Sequence, residues 1–261
     1  LKGEDRLKEA IKAAQKVLAL DPDNPTAHLN LGCIYKDLGQ LDQALASTLK
    51  SLELKPDNAD AHLNLGGIYK HLGQLDYALT ATLRSLQLRP DNASAHLSLG
   101  GIYKELGQFD YALAATLKSL EIRPDNASAH MNLGGIYKDL GQLDQALAVT
   151  VKSLELKPDS ADAHMNLGGI YKDLGKLDQA LAVTLKSLEL RPENLISYLN
   201  LGGIYKDLGK LDQALACTVK AIELKPDNPD AYLTLADIHH AMGQIEESTE
   251  CLQKALVINP H

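Results

Sequence analysis

Eight prolines, Pro22, Pro56, Pro90, Pro124, Pro158, Pro192, Pro226 and Pro260, stand 34 residues apart, and only Pro25 and Pro229 fall outside the series. The same period carries Leu-Gly-Gly-Ile-Tyr-Lys at Leu65 to Lys70, Leu99 to Lys104, Leu133 to Lys138, Leu167 to Lys172 and Leu201 to Lys206. Self-similarity at this spacing restricts the chain to an array in which one supersecondary unit recurs and buries its apolar face against its neighbours. The period divides the chain into a half repeat at 1–24 and seven tandem repeats at 25–58, 59–92, 93–126, 127–160, 161–194, 195–228 and 229–261, read as one continuous domain. Repeats 127–160 and 161–194 differ at six places, the mark of recent duplication or of deliberate consensus design.

Within repeat 59–92 two apolar-periodic segments are separated by Leu72-Gly73-Gln74 and closed by Arg89-Pro90-Asp91-Asn92. Gly73 suits a helix C-terminal cap, and the Pro-Asp-Asn run suits the turn before the next helix. The aromatic share is 4%, with no Trp and one Phe, so the interior must be built from Leu, Ala and Ile, which favour helices. Each repeat therefore reads as helix, turn, helix. His62, Leu65, Gly66, Tyr69, Ala78 and Pro90 fall where the tetratricopeptide repeat (TPR) pattern has its aromatic, Leu, Gly, Tyr, Ala and Pro, and this resemblance covers the whole chain. It implies an all-α, right-handed superhelical solenoid of antiparallel helix pairs. Two departures point to a less bulky interior. The usual Trp place holds His28, His62, His96, His130, His164, Tyr198 or Tyr232, and the usual Phe of the second helix is Thr48, Thr82, Thr116, Thr150, Thr184 or Thr218.

At about 100° per residue, Ala61, His62, Leu65, Gly66, Tyr69 and Leu72 share one arc of the first helix, the expected core. Asp60, Leu63, Asn64, Gly67, Lys70 and His71 share the opposite arc. The resemblance implies that this second arc lines a concave groove. Along the array it repeats Asn30, Asn64, Asn132, Asn166 and Asn200, with Ser98 and Thr234 interrupting. Lys36, Lys70, Lys104, Lys138, Lys172 and Lys206 form a second row, with Asp37, Glu105, Asp139, Asp173 and Asp207 beside it and His71 as the exception. Gly67, Gly101, Gly135, Gly169 and Gly203 lie between. A mid-helix glycine costs about 0.5–1 kcal/mol relative to alanine, so this row implies close approach, of a neighbouring helix or of a ligand.

The run Asp162-Ala163-His164-Met165-Asn166-Leu167-Gly168 is similar to repeats in the TPR arm of O-linked N-acetylglucosamine transferases. That resemblance implies that Asn30, Asn64, Asn132, Asn166 and Asn200 hold an extended peptide by its backbone. A carboxamide offers donors and an acceptor that match a peptide group whatever its side chain is. The alternative is a polar residue tolerated on a solvated face. Ile196 stands where other repeats carry Asp, Ser or Thr, either as a specificity contact or as drift. The expected groove set is completed by Lys70, Lys104, Lys138, Lys172, Lys206, Asp139, Asp173 and Asp207, the two charged rows largely neutralising each other. The carboxylate clamp of some TPR modules is not expected, because its first Lys place holds Leu29, Leu63, Leu97, Met131, Met165, Leu199 or Leu233.

Thirty-four acidic residues against 26 basic give a net charge of −8, the wrong sign for binding a phosphate backbone, so nucleic acid is not an expected partner. No run approaches the roughly 18 apolar residues of a membrane span, so no membrane partner is expected. The histidines recur one repeat apart, too far for a shared zinc ion, and are expected to be packed core residues. Cys33, Cys217 and Cys251 are odd in number and read as free thiols of a reducing, cytoplasmic compartment. No hydrolase, phosphate-loop or metalloprotease motif occurs, so neither an enzyme nor a cofactor is expected. The chain opens on Leu1 rather than Met and is read as a piece of a longer protein. The expected function is a non-catalytic scaffold binding an extended peptide or protein segment. The alternatives are self-association end to end, through Leu7 and Ile11 at one end and Leu252 and Leu256 at the other, or a substrate-presenting arm of a larger enzyme.

Overall fold

The computed structural model describes the backbone of residues 2–259 and side chains from Arg6 to Asn259; Leu1, Pro260 and His261 lie outside the described residues, the last proline of the series among them. The described residues form fifteen helices and no strand. Helix α1 (Lys2–Leu20) is the half repeat. First helices are α2 (Pro25–Asp37), α4 (Ala59–His71), α6 (Ala93–Glu105), α8 (Ala127–Asp139), α10 (Ala161–Asp173), α12 (Leu195–Asp207) and α14 (Pro229–Ala241). Second helices are α3 (Leu41–Leu54), α5 (Leu75–Leu88), α7 (Phe109–Ile122), α9 (Leu143–Leu156), α11 (Leu177–Leu190), α13 (Leu211–Leu224) and α15 (Ile245–Ile258). They fall into two compact units, residues 1–125 with α1–α7 and residues 126–261 with α8–α15.

Local chemistry sets the boundaries of the first helices. Asn58 caps α4 by accepting from the Asp60 and Ala61 amides at 3.2 and 3.3 Å, and Ser160 does the same for α10 through Ala163. Each first helix ends on a glycine at positive φ, Gly73 at 72° for example, which lets the Gln74 amide turn back to the Tyr69 carbonyl at 2.9 Å. Inside a repeat, small residues allow close helix packing. A methyl on Gly66 would overlap the Thr82 hydroxyl, and one on Gly168 the Thr184 hydroxyl. Ser85 ties α5 to the start of α4 by donating to the Ala59 carbonyl at 2.8 Å, and Ser187 ties α11 to Ala161 in the same way. The threonines at the usual Phe place thus accompany a narrower helix pair. Ile68, Ala78, Ile170 and Ala180 are fully buried within these layers.

The histidines correct the expectation of packed core residues. They are half-buried, and His28, His62, His96 and His164 place Nε2 at 2.8–3.0 Å from the carbonyl of the proline six residues earlier. A carbonyl only accepts, so Nε2 carries the proton and the ring clamps the turn that enters its own helix. The residues expected to form the two self-association faces differ in exposure. Leu7 and Ile11 are half-buried, whereas Leu252 and Leu256 are 48% and 62% exposed.

Candidate binding surface on the first helices

The first helices present the Asn, Gly and Lys rows together, and the glycine row is explained by the lysines. Lys70 Nζ lies 3.2 Å from where a Cβ would stand on Gly101, and Lys138 and Lys172 lie in the same way over Gly169 and Gly203. Gly67, Gly101, Gly169 and Gly203 are thus seats for the lysine of the preceding repeat, and the close approach comes from a neighbouring side chain. From that seat Lys70 reaches Glu105 at 2.8 Å and Lys138 reaches Asp173 at 3.0 Å, both in the next repeat. Lys206 finds no glycine at its seat. Asp237 stands there and takes the ammonium at 3.1 Å. Lys104, Asn132 and Asp139 also have interactions within the protein. Among the described residues of these rows Lys172, Asp207 and Asp37 make no ion pair or side-chain hydrogen bond, and Lys36 reaches no carboxylate.

The asparagines divide between the units. In unit one Asn30 is exposed, but Asn64 is only 5% exposed and both ends of its amide are engaged: Oδ1 accepts from Lys36 Nζ at 2.8 Å, and Nδ2 donates to Thr48 Oγ1 at 2.9 Å. Thr48 in turn donates to the Ala44 carbonyl at 2.7 Å. The expectation that the whole row faces solvent therefore fails at Asn64. Lys36 reaches for this amide because His71 holds the place where Glu105 or Asp173 receives the other lysines. In unit two Asn166 and Asn200 turn outward from that threonine layer. Their Nδ2 atoms donate to the carbonyls of Met131 and Met165, at 3.4 and 3.3 Å, leaving Oδ1 and the second N–H of each without a protein partner. Asn166 holds this orientation while the Thr150 hydroxyl beneath it stays buried and unpaired.

Ile196, on the same stripe of α12 as Asn200 and Gly203, is 43% exposed. Its equivalents Asp60 and Asp162 are bound by Arg89 and Arg191 of their own repeats, at 2.8 and 3.2 Å in the first case. Sequence reasoning missed these pairs, though one signal was present: repeats 59–92 and 161–194 combine an Asp in the first turn with an Arg 29 residues on. A polar hollow of about 390 Å3 in unit one, lined in part by Thr26, Leu29, Asp60 and Arg89, thus has both its carboxylates, Asp57 and Asp60, already held by arginines. Burial raises the pKa of the Cys33, Cys217 and Cys251 thiols, which keeps them protonated near neutrality.

The TPR repeat model matches residues 4–39, 32–73, 100–141, 134–175 and 202–243, and the tetratricopeptide repeat model matches 59–92, 161–194 and 229–261. The chain belongs to the TPR family. Solved structures share this TPR fold. The Cut9–Hcn1 hetero-tetramer of the APC/C matches with a TM-score of 0.83 at 17% identity, over 98% of this chain and 50% of that one, so the TPR chain spans about half its length. A tetratricopeptide repeat protein from Parabacteroides merdae matches at 0.70 and 22%, over 90% and 93%. TTC0263 from Thermus thermophilus matches at 0.63 and 29%, over 69% and 98%. No curated protein matches significantly. As a TPR array, the chain is a protein-interaction scaffold in general terms. No helix among the described residues is long and apolar enough to cross a membrane.

Proposed function

We propose that the TPR chain binds an extended peptide or protein segment along the first-helix face of unit two. The observation that carries this reading is the pair of half-open amides on α10 and α12. One N–H anchors each side chain to the preceding first helix, and the rest, one donor and one acceptor, is left in the geometry a peptide group can meet. Anchoring matters because a side chain already held loses little freedom on binding. The likeness of these repeats to a peptide-holding TPR arm supports the same reading, with Asn132 and Ile196 as further members of the surface. No chemistry beyond binding is assigned. The test is a titration of a peptide selected from a display library against wild type and an Asn166→Ala/Asn200→Ala variant. Weaker binding by the intact variant supports the proposal, and unchanged binding removes it.

A second reading rests on α15, where Leu252 and Leu256 border a hollow of about 340 Å3 with Pro229 and Leu233. Exposed apolar area of this kind marks contact surfaces, and self-association there would show as a concentration-dependent mass in sedimentation. A single monomeric species at high concentration would exclude it.

A further inference from the structure

Charge matching along the first-helix face is nearly complete, and the one gap in unit two stands beside an open amide. Lys138 is held by Asp173 and Lys206 by Asp237. Lys172 lies between them in the row, pressed onto the α12 backbone with Nζ 2.6 Å from the Cβ position of Gly203. Gly203 is one helical turn from Asn200, about 4.5 Å along the axis, so the ammonium and the unpaired half of the Asn200 amide open on the same stripe of α12. Of the acidic residues on α10, α12 and α14, Asp162 is held by Arg191, Asp173 by Lys138 and Asp237 by Lys206, while Asp207 and Asp230 are exposed and make no ion pair. One turn further along the stripe, Ile196 supplies an apolar edge. An ammonium and an amide N–H on one helix stripe, each without an internal acceptor, are donors for an anion with two oxygens.

Resting on the peptide-binding reading above, we infer that the bound segment carries a carboxylate and that Lys172 with the remaining N–H of Asn200 receives it, the carboxylate standing at that amide in place of a backbone carbonyl. The carboxylate comes from an Asp or Glu side chain or from a peptide C-terminus, and an aliphatic neighbour lies against Ile196. The glycine at 203 is part of the device, since it lets the lysine lie flat and leave the amide uncovered. Asp207 is the group that competes for Lys172 when no ligand is present.

The experiment uses the whole chain and peptides selected on it from a library of unstructured dodecapeptides. Each selected peptide is resynthesised with Glu and Asp changed to Gln and Asn, and separately with its C-terminus amidated, so that the two sources of carboxylate are told apart. Loss of one carboxylate should weaken binding about three- to tenfold, Lys172→Gln should do the same, and the two losses together should not add. Asp207→Asn should strengthen binding slightly. Lys172 has no internal partner, so the fold should be unaffected. Peptides that bind, and depend on Asn166 and Asn200, but ignore both the charge changes and Lys172→Gln would overturn this inference and leave the proposed function standing. Failure to select any peptide, or selected peptides indifferent to both asparagines, would overturn both.

Discussion

Asn64 in unit one and Asn200 in unit two occupy the same place in helices that share the run Leu-Asn-Leu-Gly-Gly-Ile-Tyr-Lys, yet the first is consumed by its surroundings and the second is half open. The difference originates one repeat away. His71 gives Lys36 no carboxylate, so the ammonium goes to Asn64, and that amide completes a chain of bonds from Lys36 through Thr48 to the Ala44 carbonyl. In unit two Asp173 receives Lys138 and Asn166 swings out to a backbone carbonyl instead; Asn200 takes the same orientation while Lys172 lies over Gly203. A repeat position is therefore a place with two uses, internal strap or outward contact, and its neighbours decide between them.

The largest effect expected concerns binding: Asn166→Ala with Asn200→Ala should cost about 1–3 kcal/mol in affinity for a selected peptide, by titration calorimetry, if the two losses add. Asn30→Ala should cost nothing measurable. Stability should show the reverse ranking. Asn64→Ala leaves Lys36 and Thr48 without their partner, and a loss of about 1–3 kcal/mol is expected in chemical denaturation, against roughly 0.5–1 kcal/mol for Asn200→Ala. Equal losses at the two sites would dissolve the distinction between strap and contact.

A smaller gain is expected from Ser98→Asn. Ser98 is too short to reach Thr82, whose hydroxyl is buried without a partner. An asparagine there should recreate the Asn64–Thr48 bond and raise stability by about 0.5–1.5 kcal/mol, read as a higher denaturation midpoint. The smallest effect belongs to His71→Asp, worth about 0–1 kcal/mol, since it supplies an exposed partner for Lys36. Its use is structural: Lys36 should leave Asn64, and the side-chain amide resonances of Asn64 should move. No movement would show that His71 is not what holds Lys36 on that amide.

The fold was legible because proline and glycine punctuation recurs with the period of one helix pair, and the caps read from Gly73 and the Pro-Asp-Asn run are the ones found. The glycine row was legible as an anomaly, although only the coordinates identify the lysine that sits on it. The histidines were misread because period and apolar company place a residue on an arc without saying which atom bonds to what, and the proline carbonyl is their partner. The asparagine row misled at Asn64 for the same reason. A helical wheel gives a direction, and the choice between Thr48 and a backbone carbonyl depends on residues in the adjoining repeats. The Lys–acid pairs of the first helices run to the next repeat, unlike the i,i+3 Lys–Glu pairs along the second helices, and a within-repeat reading does not contain that link.

The most direct measurement follows the side-chain Nδ2 amide resonances of Asn64, Asn166 and Asn200 by heteronuclear NMR while a selected peptide is titrated into the whole chain. The account predicts progressive shifts, saturating together, for Asn166 and Asn200, with Asn64 unmoved behind Lys36 and Thr48. Shifts at Asn64, or silence at Asn166 and Asn200 during saturable binding, would contradict it.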